Sequence, residues 1–312
     1  MHNTAPSRTV LTLGLIGGIL AVSAASIFIT FAQEWVPSIV IAAWRLAVAS
    51  LVLAPLAVTR NRGELTSLSR RELWPAVLSG LFLALHFASW ISSLQFTSVA
   101  SSVVLVTTTP LWVALLSPLI LLEPIRRTVG IGMMIALAGG VLVAISDSCA
   151  WQDRLVCSGL DEVLGARATL GNFLALFGAW MAAGYILIGR RLRARMTLIP
   201  YVFLVYGMAA LVLIVIMLLS GQAAFGYPPQ AYFWMILLAL VPQLLGHSAF
   251  NWALAYLPAS FVSVALFGEP IGSIILAYFV LGQQPGAINL LGCALILAGI
   301  FIATREPPVQ SS

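Results

Sequence analysis

The chain reads as two copies of one unit, in register over a shift of 160 residues without a gap. Trp74 falls on Trp234, Leu85 on Leu245 and Leu94 on Leu254. Val104 falls on Val264, Pro110 on Pro270 and Leu116 on Leu276, and Gly132 and Gly139 fall on Gly292 and Gly299. Each copy is built from long apolar runs. By eye they cover 10–32, 38–58, 73–93, 98–121 and 128–146, then 169–189, 199–219, 232–254, 259–281 and 286–304. A helix of about 20 apolar residues crosses the hydrocarbon of a bilayer, so each run is long enough to span. Five is an odd number, so the second copy must enter the bilayer upside down. The expected fold is an all-α integral membrane protein of ten transmembrane helices in two inverted five-helix repeats. Inverted repeats place a binding site between the halves near the midplane, where rocking exposes it to either side.

Composition agrees. Hydrophobic residues make up 61% of the 312 and charged residues 8%, whereas a water-soluble domain carries about a quarter charged residues. The runs are continuous, not alternating, which excludes transmembrane strands. The first is too long for a signal peptide and is preceded by a single charged residue, Arg8, so it is read as a retained span. The repeats divide the chain into 1–148 and 167–312, joined by an outward-facing loop over 149–166.

There is no Lys. Twelve Arg fall in alternate connections: Arg8, Arg60, Arg62, Arg70, Arg71, Arg126, Arg127, Arg190, Arg191, Arg193, Arg195 and Arg305. The intervening connections hold Arg154 and Arg167. This bias sets both termini in the cytoplasm, although the connection at 255–258 should be cytoplasmic and has no Arg. The net charge of +5 thus reports orientation toward anionic lipid, and no nucleic-acid partner is expected. Cys149 and Cys157 share the outer loop, which also holds Asp147, Asp153, Asp161 and Glu162. An exported loop sits in an oxidising space, so a Cys149–Cys157 disulfide is expected, with free thiols as the alternative. That loop has no His and no third Cys, so no metal is expected. Cys293 is ordinary span packing.

Small residues recur at four-residue steps. The first span has Gly14 and Gly18, the sixth Gly171, Ala175 and Ala179, and Gly139 and Gly299 recur in the fifth and tenth. Such stripes let helices approach closely in lipid. Contact within the chain is preferred over a homodimer, so a monomer is expected. Pro110 and Pro270, at matching places in spans four and nine, are expected to break or bend those helices.

Ionisable groups inside spans are costly and usually functional. Arg45 in span two and Glu269 in span nine both fall near mid-depth. They are open to several readings: a structural ion pair, a pairing of either residue with backbone and water, a proton-coupling carboxylate, or an Arg holding a substrate carboxylate. His86 and His247 lie on the equivalent spans three and eight. Gln243, His247 and Asn251 share one helix face, as do Ser79, His86 and Ser93, with Trp90 a turn beyond His86. These stripes either face each other across a cavity or bond between helices. Hydroxyls in spans four and nine can bond back to their own helix. Aromatics such as Trp252 could line an apolar pocket with a few placed polar groups. No phosphate-binding loop or hydrolase motif is present, and no cofactor is expected.

The stretch from His86 to Glu123, HFASWISSLQFTSVASSVVLVTTTPLWVALLSPLILLE, resembles the first repeat of EamA-type proteins of the drug/metabolite transporter superfamily. The stretch from Val241 to Gly282 resembles the second. The resemblance implies ten spans with both termini inside, and a multi-pass protein of the bacterial inner (cell) membrane. It also implies secondary transport, commonly efflux of metabolites, amino acids or drugs, through a cavity lined mainly by spans three, four, eight and nine. The chain departs from the family where a Gly-Glu pair often closes each fourth span. Here Glu123 follows Leu122 and its counterpart is Gln283. It also lacks a buried acid early in span one, where Glu34 sits at the outer end. The expected function is a metabolite exporter working by alternating access, and not an enzyme. His86, Trp90, Gln243, His247, Asn251 and Trp252 would contact solute, and Arg45 or Glu269 would set the charge balance. An intramembrane enzyme using Glu269 and a His, or a passive channel or scaffold, are the alternatives.

Overall fold

The computed structural model describes residues 6–97, 102, 105–145, 149–152, 154–157, 166–281 and 285–304. The first half comprises α1 (Arg8–Ser23), α2 (Ala25–Gln33), α3 (Ser38–Arg60), α4 (Arg62–Ser67), α5 (Arg70–Ser93), α6 (Thr109–Ile120) and α7 (Arg127–Ile145). A two-stranded ribbon follows, β1 (Cys149–Gln152) and β2 (Arg154–Cys157). The second half comprises α8 (Ala166–Arg193), α9 (Leu198–Leu219), α10 (Pro229–Leu238), a π-helical segment (Ala239–His247), α11 (Ser248–Ala253), α12 (Ala259–Ala265), α13 (Gly268–Leu281) and α14 (Ala287–Thr304).

Among the described residues, seven helices or helical runs are long and apolar enough to cross a membrane, and three shorter apolar helices accompany them. Their outer faces make sense only in lipid. On α9, Tyr201, Tyr206 and Ala209 are fully buried while Leu211, Leu218 and Leu219 are exposed. Patches of this size would drive association in water.

Packing follows the repeat. The two spans that shift onto each other by 160 residues, α7 and α14, form the most extensive helix pair. A Cβ on Gly132 would overlap the Gly299 carbonyl, and one on Gly299 would overlap the Gly132 carbonyl. Seven residues on, Gly139 meets the Gly292 carbonyl, so residue numbers rise along one helix as they fall along the other. The two equivalent helices therefore run antiparallel, with backbones in contact at glycines that no larger residue could replace. The same reciprocity recurs in the core. On α1, Gly14 lies against Trp252 and Gly18 against Ala249; on α8, Gly178 lies against Ser89 and Gly184 against Phe82. Thus the first span packs on the eighth, as the sixth packs on the third. The small-residue stripes serve these contacts within the chain.

The Arg-rich end is tied by polar groups. Ser69 and Glu72 form a capping box that starts α5. Glu64 of the short α4 reaches the second half, accepting from the Thr197 backbone N–H at 2.7 Å and its hydroxyl at 2.5 Å where α9 begins. Outside the helices, the ribbon pairs Cys149 opposite Cys157 in backbone register. The side chains of those two cysteines lie outside the described residues.

Among the described residues, four spans depart from straight helices. The first breaks at Ala24, where the Ser23 hydroxyl donates back to the Ile19 carbonyl at 2.7 Å. The fourth and ninth break at turns. Pro110 and Pro270, expected to break or bend these helices, each sit in the first turn of the helix that follows the break. A missing N–H costs nothing there, because the first-turn donors have no helical partner. The fourth departure is the π-helical stretch of the eighth span, nine residues long, with Pro242 inside it.

Candidate functional site: a buried cavity between the halves

A cavity of about 70 Å³ lies where these broken segments meet. The first half contributes Arg45, His86, Trp90 and Pro110 to its wall, and the second half contributes Tyr185, His247, Asn251 and Glu269. Most of the remaining wall is apolar, as small-molecule sites usually are.

Arg45 is fully buried. Its Nε donates to Gln243 Oε1 at 2.7 Å, and its guanidinium lies over the Phe87 ring at 4.0 Å. Among the described residues, Nη1 and Nη2 have no hydrogen-bond partner. Of the sequence readings of Arg45 and Glu269, a hydrogen-bonded ion pair is therefore not what the structure contains: Arg45 bonds Gln243, and Glu269 lines the same cavity from the first turn of α13. The helix N-terminus favours a carboxylate there, and the Ser23 hydroxyl holds the Glu269 backbone carbonyl at 3.2 Å.

The two histidines sit differently. His86 Nδ1 lies 2.9 Å from the Gly178 carbonyl. A carbonyl only accepts, so Nδ1 carries the proton and Nε2 is the acceptor. The His86 ring stacks on Trp90 at 5.9 Å between centroids, and His247 meets Phe87 edge-on at 5.3 Å. Asn251 Nδ2 meets the Tyr185 hydroxyl at 2.5 Å and the Tyr206 hydroxyl at 3.3 Å, and donates to the His247 carbonyl at 2.9 Å. Tyr206 continues the network to Ser248 at 3.2 Å.

Four of the six residues expected to contact solute, His86, Trp90, His247 and Asn251, line this cavity, and Trp252 does not. Its ring instead fills the space above Gly14 and packs against Tyr256. Gln243 is fully buried behind Arg45 and also lies outside the lining. The rest of the span-three stripe bonds between helices: Ser79 with Tyr201 at 3.2 Å, and Ser93 with Ser102 at 2.6 Å. The span-four hydroxyls bond back to their own helix, Thr109 to Val106 at 2.7 Å and Thr108 to Leu105 at 2.6 Å. Tyr206 and Phe87 escaped the sequence reading. Their only signal was apolar-looking helical spacing, which marks core as readily as site.

At the Arg-rich end an ion pair ties the two halves together. Arg190 Nε meets Glu123 Oε1 at 2.7 Å, and Arg190 Nη1 donates to the Leu254 carbonyl at 2.8 Å. Glu123 Oε2 accepts from the Ala259 backbone N–H at 3.2 Å, and Arg193 Nε donates to the Asn251 carbonyl at 2.9 Å. Leu254, held by this network, is itself part of the cavity wall. Glu123, the one acid left of the family's expected pair, thus bonds the second half here.

Among the described residues, no group of three or more His, Cys, Asp or Glu could hold a metal. A lipid-facing helical bundle around a small internal cavity, with its polar atoms supplied by both repeats, defines a multi-pass membrane transporter. The sequence profile of the EamA-like transporter family matches residues 10–145 and 169–305, one match per repeat. The chain belongs to that family, within the drug/metabolite transporter superfamily, and is not an enzyme. It is 24% identical over 265 residues to the uncharacterized transporter YdfC of Bacillus subtilis, covering 83% of this chain and 79% of that one. It is 23% identical over 233 residues to an uncharacterized transporter of Archaeoglobus fulgidus, covering 73% and 74%. A crystal structure of a protein 19% identical superposes with a TM-score of 0.76, over 96% of this chain and 97% of the other, and shares the fold.

Proposed function

We propose that this protein is a secondary transporter that exports small metabolites, such as amino acids or amphipathic compounds, by alternating access. The observation that carries the reading is the cavity itself, walled by polar groups from both repeats. Three features support it. The antiparallel contact of α7 on α14 is what an inverted repeat requires. Ten apolar spans with the Arg at one end fit a chain with both termini in the cytoplasm of the inner (cell) membrane. The Glu123–Arg190 ion pair then closes the cytoplasmic end, leaving the cavity to communicate with the other side. On that topology the ribbon lies outside. Directly opposed cross-strand residues have Cα atoms about 4.5–5.5 Å apart, within disulfide reach, so we assign a Cys149–Cys157 bridge. The protein acts as a monomer, its small-residue faces being used internally.

The test is reconstitution into proteoliposomes with a panel of radiolabelled amino acids and lipophilic cations, with and without a pH gradient. Saturable movement of unaltered solute is expected, reduced by His247→Ala without loss of membrane insertion. Non-saturable flux would make the protein a channel and end the carrier reading.

A further inference from the structure

Among the described residues, Arg45 Nη1 and Nη2, Trp90 Nε1 and Asn251 Oδ1 on the cavity wall, and Gln243 Nε2 behind it, are buried without hydrogen-bond partners. Such groups are rare in folded proteins and each is costly, so a cluster of them marks a place built for something else to bond.

The geometry points to a carboxylate. Arg45 offers five N–H donors in a fixed plane. The Nε side of that plane is spent on Gln243 at 2.7 Å, and one face is covered by Phe87 at 4.0 Å. What remains is the outer edge, Nη1 and Nη2 side by side, on a residue that lines the cavity. Two parallel N–H groups on a planar cation match the two oxygens of a carboxylate, and a bidentate bond of that kind returns the hydrogen bonds the buried guanidinium lacks. A lipophilic cation would meet the same edge as a bare like charge. We propose that Arg45 is the carboxylate-binding group of the transport site, so that transported solutes carry a carboxylate, and that Gln243 is the positioning residue that turns the open edge of the guanidinium to the cavity. This rests on the transport reading above.

Gln243 can do this because of the helix around it. It lies one residue after Pro242 within the π-helical stretch, where the widened turn displaces it from regular helical placement. π-Helical segments occur often at functional sites for this reason. Glu269, across the same cavity, bears on which carboxylates fit. A simple organic acid brings its charge near Glu269, whereas an amino acid also brings an ammonium that Glu269 can meet.

The full-length protein in proteoliposomes tests this with four radiolabelled probes: L-phenylalanine, L-alanine, and their deaminated counterparts phenylpropionate and propionate. Each is competed with its own amide. Saturable uptake of at least one acid is expected, with the amide competing at least about tenfold more weakly. Uptake of the amino acids alone identifies the zwitterion as the source, and uptake of the deaminated acids alone identifies the organic acid; either supports the proposal. Arg45→Gln should abolish the preference for acid over amide, and Arg45→Lys should keep part of it. Gln243→Glu, which keeps the shape but supplies its own carboxylate to Arg45, should raise the KM for the acid with little change in kcat. Equal competition by acid and amide in the unaltered protein would overturn the proposal, whatever the fate of the variants. Transport of tetraphenylphosphonium with none of the four acids would overturn it while leaving the transporter reading intact. Saturable movement of no probe would remove both.

Discussion

Spans three and eight occupy the same place in the two repeats, yet they do different work. Span three is the regular helix α5, and its polar groups are mostly spent on neighbours: Ser79 on Tyr201, His86 on Gly178, Ser93 on Ser102. Span eight is broken by a π-helical stretch, and its polar groups turn to the centre: Gln243 onto Arg45, Asn251 onto two tyrosines. The repeat supplies matching positions, and the local backbone decides where each of the pair sends its polar groups. In lipid, a polar side chain must find a partner somewhere. A regular helix delivers it to the adjacent helix, whereas a widened one can aim it at a cavity.

That contrast can be broken most sharply at Gln243. Gln243→Leu takes the partner from a buried guanidinium and should cost about 3 kcal/mol of stability, since breaking a buried charged contact by removing one partner is severe. Thermal unfolding in detergent measures it, and transport should fall with it. An unchanged midpoint would mean that Arg45 finds another acceptor. Next comes Pro242→Ala, which permits regular helical bonding through the stretch. Transport should drop about tenfold while the unfolding midpoint holds or rises, as in other trades of stability for function. Retention of full transport would show that the wide turn has no role.

A smaller effect separates the histidines. His247→Ala should lower transport several-fold with little change in stability. His86→Ala should instead cost about 1 kcal/mol, the worth of one interhelical hydrogen bond, and lower transport less. The reverse pattern would invert the division of labour between the two spans. Glu123→Gln should weaken closure by about 1 kcal/mol, given that both partners of its ion pair are mostly shielded from solvent. A cysteine at Leu254 should then be labelled faster from the Arg-rich end. Smallest of all, Ser79→Ala should cost about 0.6 kcal/mol, typical of a side-chain bond between membrane helices, and leave transport untouched.

Much of this was readable in the residues. The repeat, the spans, and the candidacy of Arg45, Glu269, His86, His247 and Asn251 all follow from the expense of polar groups in hydrocarbon, which makes the few that remain conspicuous. Trp252 was misplaced because a large aromatic at the right depth serves packing as well as a pocket, and only the nearness of Gly14 decides between them. Pro110 and Pro270 mark the breaks in spans four and nine, but not where each break falls. A proline shows that a helix is interrupted somewhere near it, not on which side. The ribbon over 149–157 had no apolar period to announce it, because its strands are four residues each.

The sequence alone determined that this chain lives in a bilayer as two like units, because hydrophobicity and its spacing are local sums over neighbouring residues. The tertiary structure alone decided that Arg45 bonds Gln243 instead of Glu269, and that it lines a cavity shared by both halves. Those residues are 198 and more positions apart along the chain. Whether two such groups meet depends on how helices break, turn and pack, which no local pattern records.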